Sequence, residues 1–148
     1  MPSAPRLDQQ LCFALYRASR AVIRAYGPLL EPLGLTYPQY LVMLVLWEGE
    51  GISVKQLGER LALDSATLTP LLKRLEQQAL VERSRDPDDE RVVRVGLSRA
   101  GRALEKKAHE IPARLACQFI DVDDDAELKK IGKLRGALHA LADKLEPS

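Results

Sequence analysis

The sequence predicts a mainly helical fold carrying one small β-hairpin, and three observations predict it. Leucine outnumbers the β-branched residues within an apolar fraction of 46%, a bias toward helix. Apolar side chains recur at i, i+3, i+4 and i+7 over most of the chain, the period of helices with one buried face. Between residues 81 and 96, two valine-bearing runs flank Asp-Pro-Asp-Asp-Glu-Arg at 86–91, a segment rich in turn formers.

At 148 residues the chain is read as one domain with room for a substantial core. A formal net charge of +1 means that no overall basicity advertises a nucleic-acid partner, so any such surface must be local. Residues 1–10 contain no apolar signal segment, and the apolar run 40–47 is too short to span a bilayer. A cytoplasmic protein without membrane contact is expected. In a reducing compartment Cys12 and Cys117 are not expected to form a constitutive disulfide; they are inert core thiols or redox-active ones.

Taken in order, Leu7, Leu11, Leu15, Ile23, Tyr26 and Leu30 mark a first helix over about 7–30, stopped by Gly27 and Pro28, then by Pro32 and Gly34. Thr36 caps a second helix over about 37–48, with Pro38 tolerated in its first turn. This helix is apolar nearly all round and should form the buried centre. Residues 52–53 suit a very short strand. Ser53 and Gln56 form a capping box that opens a third helix, with Val54, Leu57 and Leu61 as its stripe.

A turn at Leu63 leads to a fourth helix over 64–78, capped by Asp64. Leu68, Leu71, Leu72 and Leu75 form its buried stripe. The opposite face carries Ala66, Thr69, Lys73 and Gln77, flanked by Thr67 and Arg74. That face is small and polar at its start and basic further along, as a helix entering a DNA major groove requires. Pro70 removes a helical hydrogen bond at a cost of roughly 3 kcal/mol, so a bend is expected there. A short helix, a turn and a longer helix of this kind make a helix-turn-helix.

Extended runs over 81–85 and 92–96 follow, joined by the 86–91 turn. The hairpin bears Arg83, Arg85, Arg91 and Arg94, which makes it the wing of a winged helix, with arginines able to reach phosphates or a narrow minor groove. A plain solvated hairpin is the competing reading. Ser98 caps a helix over about 99–110, Pro112 permits a restart over 113–119, and the acidic run 121–125 caps a last helix over about 126–145. Leu128, Ile131, Leu134, Leu138, Leu141 and Leu145 stripe that helix. The winged helix-turn-helix thus occupies about 35–97. The helices over 7–31 and 98–145 have apolar faces that a homodimer would bury, and a two-fold dimer suits a pseudo-palindromic double-stranded operator. No cofactor motif is present, and His109, His139 and Cys117 match no common metal-ligand spacing, so neither a cofactor nor a metal is expected.

With these elements in place, the helix order, the helix-turn-helix and the wing ending Asp89-Glu90-Arg91 resemble the MarR family of dimeric winged-helix regulators over nearly the whole chain. Within that family, the segments 11–16 (Leu-Cys-Phe-Ala-Leu-Tyr), 35–40 (Leu-Thr-Tyr-Pro-Gln-Tyr) and 63–72 look like the organic hydroperoxide resistance regulators. The resemblance implies that Cys12 is a peroxidatic thiol whose thiolate is hydrogen-bonded by Tyr26 and Tyr37 of the other subunit, with Tyr16 lining the site. It implies DNA contact by Asp64, Ser65 and Thr67 at the start of the fourth helix, and by Arg91 braced by Asp89. It also places the chain with members that carry a second cysteine, here Cys117, and implies an intersubunit disulfide between the two. Ala66 stands where glycine is common in this motif, a modest departure.

The chemistry stands beside the resemblance. A free thiol is only about a tenth ionised at physiological pH. Two hydrogen bonds to a thiolate, at about 1.5–3 kcal/mol each, are of the size needed to favour the reactive form. Tyrosine hydroxyls supply them while keeping the pocket apolar, which favours alkyl or lipid hydroperoxides over hydrogen peroxide. The leading expectation is a DNA-binding repressor, not an enzyme, that releases its operator when Cys12 is oxidised. A thiol peroxidase and a ligand-gated regulator with an incidental cysteine are the alternatives.

Overall fold

The computed structural model describes residues 4–49 and 51–146. The chain divides into two compact units, Met1–His109 and Glu110–Ser148.

The first unit is built around α2 (Tyr37–Glu48), which buries Gln39, Tyr40, Val42, Met43, Val45 and Leu46. Thr36 caps it through a full capping box: the Gln39 amide donates to Thr36 Oγ1, and the Thr36 amide donates to Gln39 Oε1 at 3.0 Å. Helix α2 packs against α1 (Leu11–Leu30), α3 (Val54–Leu61), α4 (Ser65–Gln77) and α5 (Arg99–Ala108). Leu57, Leu68, Leu72 and Leu75 close the core from α3 and α4, each 1% exposed or less.

Helix α1 ends at Leu30 as predicted, but its start and the residues expected to stop it are corrected. The helix begins at Leu11, because Leu7–Gln9 form a separate 3-10 turn and Gln10 has an extended backbone. At its other end the helix runs through Gly27 and Pro28 to Leu30. A proline costs a helix about 3 kcal/mol, whereas burying a leucine side chain returns roughly 1.5–3 kcal/mol. Leu29 and Leu30 both lie in the core, so continuing the helix wins.

Ser53 opens α3 through the predicted capping box with Gln56. The turn into α4 closes through Ala62 in a left-handed conformation, with the Leu63 amide donating to the Gly58 carbonyl at 2.9 Å. Gly58 is required here, since a Cβ would lie 2.8 Å from the Leu63 carbonyl oxygen. Helix α4 continues unbroken past Pro70. A second left-handed residue, Ala79, ends it and turns the chain into the sheet.

The sheet is antiparallel in the order β1 (Ile52–Ser53), β3 (Val93–Leu97), β2 (Val81–Arg85). Val81 faces Leu97 and Arg85 faces Val93. The third strand starts one residue later than predicted because the Val92 amide is used in the turn, donating to the Asp89 carbonyl. Helix α5 begins on its Ser98 cap and ends at Ala108, two residues short of the prediction.

In the second unit α6 (Ile111–Ala116) carries Pro112 in its first turn, where a missing amide hydrogen costs little. It therefore starts and stops earlier than the expected 113–119. Asp124 caps α7 (Asp125–Leu145), accepting the Ala126 amide at 2.8 Å. None of the side chains of α7 is buried in the single chain, and Leu128, Leu134, Leu138 and Leu145 are all exposed. Among the described residues no single helix is long and apolar enough to cross a membrane.

Candidate functional site

Helix α4 turns its leucines into the core and leaves Ser65, Thr69 and Lys73 exposed along one face, with Thr67 exposed on a flank. Asp64 is committed as its cap and accepts the Thr67 amide at 2.8 Å. The Thr67 hydroxyl and then its amide hold the Asp64 carboxyl below the usual carboxylate range. The first turn is thereby fixed while its short side chains stay open.

The wing arginines divide by their partners. Arg83 pairs with Glu76 of α4, tying β2 to the helix. Arg85 donates to the Glu90 carbonyl at 2.7 Å. Arg94 donates from Nε to Asp86 at 2.5 Å and from Nη1 to the Gly51 carbonyl at 2.8 Å. Arg91 makes a two-point pair with Asp89, Nε to Oδ1 at 3.1 Å and Nη2 to Oδ2 at 3.2 Å, and its side chain remains 91% exposed. Arg91 stands much further into solvent than Arg83 or Arg94, whose side chains are 31% and 41% exposed, and the other three brace the hairpin.

A tyrosine cluster lies where α1 meets α2. The Tyr26 and Tyr37 rings are 4.7 Å apart at their centroids, Tyr26 and Tyr40 5.6 Å, Tyr37 and Tyr40 6.4 Å. Burial, then the neighbouring Tyr37 and Tyr40 phenols, push Tyr26 up to about 12. Burial also raises Tyr37, and raises Tyr40 with a further contribution from Tyr37. All three phenols therefore stay protonated and available as hydrogen-bond donors at any physiological pH.

Cys12 is the second residue of α1 and is exposed. Tyr16, one turn on, is exposed with the Arg20 guanidinium 5.3 Å from its ring centroid. Cys12 and Tyr26 stand on the same continuous helix, about 21 Å apart along its length at 1.5 Å per residue. One chain thus brings Tyr26 and Tyr37 together and leaves Cys12 away from both. Cys117 follows the end of α6, also exposed and free. Among the described residues no group of three or more His, Cys, Asp or Glu could hold a metal ion.

Sequence reasoning missed several contributors. Tyr40 figures in the sequence only in the apolar run and in the 35–40 segment, with no site role, although its place three residues after Tyr37 puts both rings on one helical face. Tyr40 in turn stacks edge-on with Trp47, whose indole nitrogen donates to the Gly101 carbonyl at 3.0 Å. Gln78, at the end of α4, donates to the Gly34 carbonyl at 2.6 Å, two residues ahead of the cap that presents Tyr37. No local pattern signals that contact, because its partners lie 44 residues apart.

Residues 35–93 match the sequence profile of the MarR family. The chain is 46% identical over 140 residues to the organic hydroperoxide resistance transcriptional regulator of Bacillus subtilis (strain 168), covering 95% of this chain and 92% of that one. Its structure is similar to that of reduced AbfR bound to DNA, AbfR being a Staphylococcus epidermidis protein. The TM-score is 0.73 at 35% identity, over 93% of this chain and 96% of that chain. Disulfide-formed AbfR matches with a TM-score of 0.68 at 34% identity, over 95% and 92% of the two chains.

Proposed function

The chain belongs to the MarR family and is a DNA-binding transcriptional regulator, and from that premise we propose that it is a cytoplasmic repressor that senses organic hydroperoxides through Cys12. The observation that carries this reading is the separation along α1. Cys12 is open at one end and the stacked phenols of Tyr26 and Tyr37 sit at the other. A thiol flanked by two phenol donors is completed only when a second chain lays its α1 alongside, so the sensor site belongs to a homodimer. The exposed leucines of α7 supply apolar surface for such an assembly.

In the reduced dimer, two copies of α4 enter successive major grooves of a pseudo-palindromic operator. Ser65, Thr67 and Thr69 approach base edges, Lys73 meets phosphate, and Arg91 reaches the minor groove from the wing. Arg83, Arg85 and Arg94 shape that wing and add positive potential. The partner's phenols donate to the Cys12 thiolate, and Tyr16 walls the site. The thiolate attacks the distal peroxide oxygen. The O–O bond breaks, the leaving alkoxide takes a proton from solvent to depart as an alcohol, and Cys12, having gained the distal OH, becomes a sulfenic acid. The thiol of Cys117 from the other subunit then attacks that sulfur, forming a disulfide and releasing water. Closing this bond shifts the helices that set the spacing of the two recognition helices, and the operator is released. The Gln78 to Gly34 hydrogen bond offers a short route, since it joins the end of α4 to the turn that presents Tyr37.

The relatives support the reading in their own terms: one is an organic hydroperoxide regulator, and the other has been seen reduced on DNA and with a disulfide formed. The test is a gel shift of the reduced protein on the DNA upstream of its own gene, repeated with cumene hydroperoxide and then with dithiothreitol. A shift that peroxide abolishes and thiol restores supports the reading. Peroxide turnover without sequence-specific DNA binding would point to a peroxidase, and release by phenolic compounds alone to a ligand-gated regulator.

A further inference from the structure

The tip of the wing, between β2 and β3, is held by a chain of hydrogen bonds anchored outside the hairpin. Asp86 stands at its base with a side chain only 13% exposed. One carboxylate oxygen accepts the Asp88 amide at 2.8 Å and the Asp89 amide at 3.2 Å, which fixes the turn. The other accepts Arg94 Nε at 2.5 Å. Arg94 reaches from β3 past Asp86 and donates to the carbonyl of Gly51, at the entry to β1. Asp89, whose amide is thus placed, accepts both the backbone amide and the guanidinium of Arg91. The order from the body outward is Gly51, Arg94, Asp86, Asp89, Arg91.

Arg94 is half-committed to the protein through two donors, whereas Arg91 projects into solvent. A long exposed side chain loses rotamer entropy when it docks, and a pre-set turn reduces that loss. We propose that Asp86 and Arg94 are positioning residues for DNA binding: they lock the wing tip so that Arg91 is presented to the groove in one orientation, without themselves touching DNA. This inference rests on the DNA-binding reading above. Arginine suits the role because its planar fork donates to two acceptors at once, which a lysine ammonium on a flexible stem does not reproduce.

The pair makes a prediction of unusual sign. Asp86 is an acidic group close to the DNA-facing tip, so its removal should by charge alone strengthen binding. A positioning role predicts the reverse. Affinity would be measured by fluorescence anisotropy on a duplex taken from upstream of the gene, with a random duplex of equal length as control, for wild type, Asp86→Asn, Arg94→Gln and Arg91→Ala. Asp86→Asn and Arg94→Gln should each weaken specific binding about tenfold. The slope of log affinity against log salt should stay unchanged in Arg94→Gln, since a lost phosphate contact would reduce it by about one. On an Arg91→Ala background, Asp86→Asn should have no further effect, because its influence passes through Arg91. Arg94→Lys should not rescue. Thermal melts identify any variant that fails to fold, and Asp86→Asn keeps the question open to test if Arg94→Gln does fail. Unchanged or tighter binding by a folded Asp86→Asn, additive effects in the double variant, or a reduced salt slope in Arg94→Gln would each overturn the proposal. Should wild type bind both duplexes alike, the DNA-binding reading falls and this inference falls with it.

Discussion

The rings of Tyr26 and Tyr37 meet at 4.7 Å with 34° between their planes, although one tyrosine is near the end of α1 and the other opens α2. The contact depends on the short turn at Glu31–Leu33 and on Gly34, whose φ of 69° lets the chain reverse. Two phenol rings are thereby brought together from two helices, and burial raises the pH at which each would ionise.

That rise is measurable. Tyr26 is pushed up to about 12 from an ordinary value of 10.0, so ionisation followed by ultraviolet absorbance should show a late tyrosine titration. The folded value lies above the unfolded one. The stabilisation linked to it is therefore complete below pH 10 and is lost as pH rises through 12. Tyr26→Phe should remove the late step and narrow the alkaline loss of stability. It should also slow the peroxide response, as should Tyr37→Phe, by removing a donor to the Cys12 thiolate.

Gly101 packs the start of α5 against the junction between α4 and β2. A Cβ there would lie 2.2 Å from the Leu80 carbonyl oxygen, a backbone atom that cannot swing away. The same residue accepts the Trp47 indole. Gly101→Ala should destabilise the fold by about 1–3 kcal/mol, in the range of an overpacked core. Chemical denaturation checks it, and a variant as stable as wild type would mean that α5 moves freely at this junction.

Arg91→Ala should weaken operator binding by about 1–3 kcal/mol. Unlike the bracing arginines, Arg91 is held by one carboxylate at the wing tip and is otherwise open. Anisotropy titrations at several salt concentrations measure it. An unchanged affinity would remove the wing from DNA recognition.

Cys117→Ser should remain sensitive to the first oxidation but form no covalent dimer. Its Cys12 sulfenic acid, lacking a resolving thiol, should over-oxidise or be capped by small thiols, which intact mass spectrometry detects. Wild type treated with peroxide should run as a dimer on non-reducing gels and return to monomer with reductant. Only monomer bands, with DNA nonetheless released, would leave a one-cysteine mechanism.

Much of this was legible in the residues. The Thr36 cap and the capping box of Ser53 with Gln56 are readable from spacing and set the starts of α2 and α3 as predicted, while the part of Gln39 in the Thr36 cap shows in the structure. The hairpin followed from Asp-Pro-Asp-Asp between valine runs. What misled was the assumption that Pro28 must stop a helix, because local cost was visible while the burial of Leu29 and Leu30 was not. Of the four wing arginines, only Arg91 with its brace Asp89 is singled out by the family resemblance; the partners of the other three, Glu76, the Glu90 carbonyl and Asp86, show only in the fold. Tyr26 and Tyr37 could be named one by one, but their stacking needed the turn between α1 and α2, and their distance from Cys12 needed α1 as one continuous helix. Pairings across 43 or 44 residues, Arg94 to Gly51 and Gln78 to Gly34, carry no local signal at all.

The central claim is that oxidation of Cys12 controls DNA binding, and operator release by Cys12→Ser tests it most directly. The serine hydroxyl keeps the size of the site and removes the oxidisable sulfur. Wild type and Cys12→Ser, both reduced, would be bound to the same upstream duplex and titrated with cumene hydroperoxide while anisotropy is recorded. The account predicts that both bind the duplex with similar affinity, that wild type is released, and that Cys12→Ser stays bound at every peroxide concentration. Release of Cys12→Ser over the same range as wild type would contradict it and place the sensor elsewhere.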